Sequence, residues 1–217
     1  MVEVRPQASD TCHLKEECRA KPNGPKLRYS HEERFVTKNT RESIANLHSK
    51  DDKVRFAALQ SVLKETDAKV KWIYDVWEGL VNSLSDENSY QRSIAVMVIC
   101  NLAKSDTEGK LSKAIGRLLP LTNDEKFVTS RQCIQNLWKV AVTSTSLKKK
   151  VVDHLIAQYK NCTNDKHYNL IRLDIHQSLR NICDQSLDSG IRSKALELIE
   201  MEEEPKFRKR YAAIWKT

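Results

Sequence analysis

The most regular chemical spacing in this chain belongs to five arginines, Arg55, Arg92, Arg131, Arg172 and Arg208, separated by 37, 39, 41 and 36 positions. Each lies in a similar stretch: VRFAAL, QRSIAV, SRQCIQ, IRLDIH and FRKRYA. A row of guanidinium groups at a constant repeat can follow a phosphate backbone. It can equally bind carbonyls and carboxylates of its own chain. An acidic residue (Asp51, Asp86, Asp124, Asp165 or Glu204) precedes each arginine by four to seven positions. That pairing favours the second use, a structural ladder.

Two lysine-rich stretches carry the nucleic-acid alternative: Lys148, Lys149 and Lys150, and the run Lys206, Phe207, Arg208, Lys209, Arg210. The net charge of +8 is uneven, about +2 over residues 1–40, about +1 over 41–138 and about +5 over 139–217. An acidic run, Glu200 to Glu204, lies beside the second stretch and screens it. Three lysines at a helix start oppose the helix dipole, which hints at a retained basic patch.

Cys12, His13 and Cys18, with His31 further on, have zinc-ligand chemistry. They lack the two recognisable pairs of a closed structural site, so no metal is expected. His154, His167 and His176 are 13 and 9 residues apart, not the i, i+4 spacing of a ligand pair. They read as surface or turn histidines, with His176 beside Asp174 and Arg172 the one suited to a groove. No phosphate-binding glycine loop, G-x-S-x-G or H-E-x-x-H occurs. Neither an enzyme nor a cofactor is the expectation.

The elements that must position these groups are helical. Five Gly and five Pro in 217 residues are few for a β-rich chain. Apolar residues recur at helical spacing, as in Ile73, Val76, Trp77, Leu80, Val81 and Leu84, and again in Ile94, Ala95, Val98, Ile99 and Leu102. The same pairing of helix, polar turn and helix recurs five times from Arg41 onward. On the first unit's second helix the apolar stripe is Val54, Ala57, Ala58 and Val62. The helix from Ile94 is apolar nearly all round, which marks a central, buried position. Pro120 should end or kink its helix, and Pro205 suits a first helical turn. Residues 1–40 hold three of the five prolines, dense charge and no apolar period, and read as a flexible or loosely docked arm before a repeat domain over 41–217.

An apolar first helix, an Asp-containing turn and then V-R-x-x-A-A-x-x-x-L resembles HEAT-like repeats of the armadillo-type class. The resemblance covers about residues 41–217 and is best in DDKVRFAALQSVL and DENSYQRSIAVMVICNL. Cys133 and Asp174 depart from it, standing where small apolar residues are usual. It implies an all-α, right-handed α-solenoid of about five helical hairpins, with a structural role for the arginines. At fold level alone the chain is also similar to alkylpurine DNA glycosylases, in which tryptophans, an Asp and an Arg share a basic concave surface. Trp72, Trp77, Trp138, Asp75 and Arg131 are the residues that such a site would draw on, with Asp75 as its catalytic group.

Helical spacing puts Trp77 and Trp138 on core stripes. The reading is therefore a non-enzymatic scaffold binding a protein or peptide partner on its concave face. Nucleic-acid binding is the alternative. No apolar run reaches the roughly 18 residues of a membrane span, so no membrane partner is expected. The N-terminal sequence has neither signal-peptide nor transit-peptide composition, and the expected compartment is the cytoplasm, with the nucleus as alternative. Cys100, Cys133, Cys162 and Cys183 fall in or just after helices and read as reduced thiols.

Overall fold

A pair of amphipathic helices has a face that only a neighbouring pair can cover, and this constraint sets the architecture. The computed structural model describes residues 37–164 and 166–216, all within the unit spanning residues 32–217. The arm, the Cys12/His13/Cys18 group and His31 lie outside them except for residues 37–40, and so does the turn acid Asp165.

Ten α-helices form five hairpins, and no strand occurs among the described residues. The hairpins are α1 (Lys38–Asn46) with α2 (Asp52–Glu65), α3 (Ile73–Ser83) with α4 (Ser89–Leu102), α5 (Lys110–Leu118) with α6 (Phe127–Ala141), α7 (Thr145–Asn161) with α8 (Tyr168–Ser186), and α9 (Ser189–Glu200) with α10 (Pro205–Ile214). The second helices α2, α4, α6, α8 and α10 pack one on the next as a continuous row.

Local chemistry explains the boundaries. Asp51 accepts the backbone N–H groups of Lys53 and Val54 at 2.8 and 3.2 Å to start α2, and Asn88 accepts that of Tyr90 at 2.9 Å to start α4. These side chains satisfy donors that a helix start leaves open. Pro120 follows the end of α5 and opens a short 3-10 turn, Leu119–Asn123; Pro205 is the first residue of α10. α1 starts at Lys38, three residues before the apolar period begins, because Thr37 caps a wholly polar first turn through the Thr40 N–H at 3.1 Å.

The centre of the core is α4, where Ala95, Val96, Ile99, Cys100 and Leu102 are fully buried. Two of its buried amides reach the first hairpin. Gln91 donates to the Leu47 carbonyl at 3.0 Å, and Asn101 donates to the Leu63 carbonyl and Thr66 Oγ1 at 3.0 and 2.8 Å. On α2 the buried stripe is Ala58, Leu59 and Val62, while Val54 and Ala57 are exposed, contrary to the sequence reading. Among the described residues α2 packs on α1 and α4, with no second helix of an earlier hairpin beside it.

The arginines tie turns and neighbours together. Arg55, Arg92 and Arg208 each donate to the carbonyl six residues earlier, those of Ser49, Asp86 and Glu202, at 2.8, 2.8 and 2.9 Å. Arg92 also grips Asp124 of the next hairpin with two bonds of 2.7 and 2.8 Å. Arg131 does the same to Asp174, at 2.5 and 3.0 Å, and Arg172 reaches Glu202 at 2.9 Å. Asp174, a departure from the repeat pattern in sequence, is thus the acceptor for the hairpin before it. Arg172 makes its carbonyl bond to Tyr159 instead, at 3.2 Å, its guanidinium lying 4.3 Å from the centre of that tyrosine's ring.

The Arg92–Asp124 pair is nearly dry, its side chains 10 % and 3 % exposed. Burial pushes the Asp124 carboxyl up, but the Arg92 hydrogen bonds, the Lys126 backbone N–H and the attraction of both cations outweigh it and hold the group below the usual carboxylate range. Its contribution to stability is complete above the ordinary carboxylate value and is lost as pH falls through the depressed one.

Two predictions follow from this packing. Ile99→Ala, which empties a fully buried site in α4, should cost about 2–5 kcal/mol in urea unfolding, and a cost within error of zero would remove α4 from the centre of the core. Arg92→Ala and Asp124→Ala should each cost about 3–5 kcal/mol. The double variant should lose less than the sum, by about 1–3 kcal/mol of coupling; additive losses would show that the two groups do not act as a pair.

Candidate functional site

Packing leaves one side of the second-helix row open, and its exposed residues are unusual. Phe56 on α2, Tyr90 on α4 and Val128 on α6 are 63 %, 64 % and 65 % exposed. They surround a cleft of about 340 Å³ that also takes in Met97 and has the buried side chains of Leu59 and Ile94 in its lining. Large apolar groups left in water and gathered around one concavity mark a contact surface more often than isolated exposure does.

The cleft is held from below and from the side. Ser93 on α4 and Thr129 on α6 are joined through their hydroxyls at 3.0 Å, and Thr129 also donates to the Ser89 carbonyl at 3.3 Å. Arg55 lies 5.1 Å from the centre of the Tyr90 ring while it pairs with Asp52. This is the only ion pair among the lining residues, so the cleft has little net charge.

Of the five aligned arginines, three therefore reach acids of the following hairpin. Arg55 faces its own turn and the cleft, and Arg208 turns back on the Glu202 carbonyl. The lysines are similarly occupied. Lys148 bonds Asp188 at 2.8 Å across a second cleft of about 320 Å³ between α7 and the start of α9, and Lys149 bonds Asp153 one turn along α7 at 2.6 Å. Hydrogen bonds from those lysines bring both carboxylates below their usual range. Lys150, Lys209 and Arg210 are exposed, and Lys206 lies 4.7 Å from the Phe207 ring centre. The first lysine group is on a first helix and the second on a second helix.

The residues a base-excision site would draw on are divided between the two rows of helices, and Trp138, on α6, is half-buried with Lys139 6.0 Å from its ring centre. Asp75 is exposed on α3, a first helix, whereas Arg131 is on α6, a second helix. Trp72 and Trp77 are 5 % and 3 % exposed, and the Trp72 indole N–H donates to Glu65 at 2.9 Å. Their faces pack in the core and cannot stack on a base.

Two histidines correct the sequence reading. His154 is half-buried and shares a 2.7 Å hydrogen bond with Thr122, with burial pushing its pKa below the ordinary value. His176 is fully buried. It stands one turn after Arg172 on the packed side of α8, and its polar neighbours Asp174 and Gln177 disguise that position in sequence. No group of three His, Cys, Asp or Glu residues suited to a metal occurs among the described residues. Cys100, Cys133 and Cys183 are free thiols, and burial raises the Cys100 thiol to about 12; Cys162 is buried. Among the described residues no helix is long and apolar enough to cross a membrane.

Phe56, Tyr90, Met97 and Val128 are the residues that reading the sequence overlooked. Their signal was weak but present: a large apolar residue stands within three positions of Arg55, Arg92 and Arg131 in three successive units. Only the packing shows that these residues face outward.

No protein-family model matches the chain, and no curated protein matches it. Solved structures do. One engineered protein aligns over 82 % of this chain and 78 % of its own, with a TM-score of 0.53 and 16 % identity. A designed armadillo repeat protein in complex with the peptide (KR)4 aligns over 81 % of this chain and 79 % of its own, with a TM-score of 0.51 and 17 % identity. Identity at this level speaks for the fold alone. With five stacked hairpins and these neighbours, the described chain has the armadillo/HEAT-like repeat fold, an α-solenoid.

Proposed function

We propose that this chain is a non-enzymatic repeat scaffold that holds an extended segment of a protein partner along its second-helix face, with one large apolar side chain of that segment seated between Phe56, Tyr90 and Val128. The observation that carries this reading is the exposure of those three side chains around a single cleft. Such a fold gains an extended surface from stacking, and a partner that lies along it can use several hairpins at once.

The designed armadillo protein is a solved case of this fold with a peptide bound. The chemistry here differs from what a basic peptide needs. Asp52 is the one acid lining the cleft, and Arg55 occupies it. Complementarity therefore favours an aliphatic or aromatic anchor over Lys or Arg. The nucleic-acid reading draws less support, since Lys148, Lys149, Arg92, Arg131 and Arg172 are all engaged with carboxylates.

Burying one large apolar side chain contributes about 1.5–3 kcal/mol, a factor of roughly 10 to 150 in affinity. Peptides selected from a display library on the wild-type protein should carry such a side chain. In fluorescence anisotropy they should bind the Phe56→Ala/Tyr90→Ala double variant at least tenfold more weakly, with its unfolding midpoint little changed because both positions are exposed. Equal binding to both proteins, or selected sequences without a large apolar residue, would reject the cleft as the anchor point.

A further inference from the structure

The joint between the last hairpin and the rest of the array is built unlike the others. Elsewhere aliphatic side chains dominate. Here Tyr159 of α7, His176 of α8 and Tyr211 and Trp215 at the end of the chain form one aromatic cluster, with all four side chains at most 2 % exposed. The His176 ring is 5.3 Å from Tyr159, 5.0 Å from Tyr211 and 6.5 Å from Trp215, centre to centre.

The one hydrogen bond within the cluster runs from the Trp215 indole N–H to His176 Nδ1, at 3.2 Å. An indole N–H can only donate, so Nδ1 must be the unprotonated nitrogen and the ring's single proton sits on Nε2. Nε2 is buried with no hydrogen-bond partner in the protein. Trp215 is also what fixes the end of α10: its carbonyl accepts from Arg192 at 3.1 Å, and Arg180 lies 5.9 Å from its ring centre.

We infer that His176 is a proton-operated latch for the last hairpin: a proton taken up at Nδ1 turns the acceptor of the Trp215 N–H into a second donor and releases α10 from α8. Among the described residues the added charge has no carboxylate free to receive it. The groups around the ring are Arg172 and Arg180 on α8, Tyr159 and Cys162 at the end of α7, Glu202 before α10, Arg192 on α9, and Tyr211 and Trp215. Glu202, the acid among them, is committed to Arg172 at 2.9 Å and to the backbone N–H of Glu204 at 3.1 Å. Two donors would then face each other across a dry contact, beside an arginine.

Burial, reinforced by Arg172, pushes the His176 pKa down to about 3. Docking therefore favours the neutral ring. The contribution is full above the ordinary imidazole value near 6.5 and is lost as pH falls from there toward the depressed value. The ratio of docked to undocked hairpin should drop by about 100-fold between pH 7.5 and 4.5.

Hydrogen exchange on the full chain, corrected for intrinsic rates, tests this. Protection of α10 amides should fall by about that factor over the interval while α4 amides change much less. In His176→Gln, which keeps an acceptor and does not titrate, the fall should be at most a few-fold. Equal pH dependence in α10 and α4, or the same fall in His176→Gln as in wild type, would overturn the latch. A wild-type measurement needs no variant: the His176 ring resonances of the docked state should stay neutral through pH 5, and titration near 6.5 with α10 still protected would equally overturn it.

Discussion

Everything in this molecule depends on the fact that two helices cannot enclose their own apolar surface. A lone α3–α4 hairpin would leave most of α4 in water, and α4 is apolar nearly all round. Placed between α2 and α6 it becomes the best-buried of the described helices. Stability on this plan is local, a matter of each hairpin and its two neighbours. That leaves the open side of the second-helix row comparatively free of packing duties, and this is where Phe56, Tyr90 and Val128 collect. Exposure there does not compete with the core.

Polar groups add register to this apolar stacking. Aliphatic contacts alone tolerate small slides between hairpins, since area is nearly insensitive to direction. A two-pronged contact from Arg92 to Asp124, or from Arg131 to Asp174, tolerates far less. The same guanidinium group of Arg92 holds the carbonyls of its own turn, so turn geometry and hairpin spacing are set by one side chain.

The fold was highly legible in the sequence because both of its signals are periodic. Apolar spacing located the helices, and the repeated arginine located the hairpins, including the turn that each of Arg55, Arg92 and Arg208 closes six residues back. What could not be read was direction. Periodicity places Asp174 on a helix but does not say that Arg131, 43 residues earlier, will reach it. It places Phe56 off the buried stripe without saying that Tyr90 and Val128 come to the same cleft. His176 looked polar because its sequence neighbours are polar, whereas burial is decided by the neighbours supplied from α7 and α10. The Cys12, His13 and Cys18 group had no periodicity to place it at all.

For three of the five arginines the answering acid lies later in the chain: Arg92 to Asp124, Arg131 to Asp174, Arg172 to Glu202. The array consequently has a sense, like a polymer with unlike ends. The α5–α6 and α7–α8 hairpins each offer a cation forward, Arg131 or Arg172, and an anion backward, Asp124 or Asp174, so their two faces are chemically unlike. At the last hairpin the forward group is Arg208, which has turned back on the Glu202 carbonyl. A sixth hairpin grafted after α10 would need an acid at the position equivalent to Asp124 to draw that arginine away.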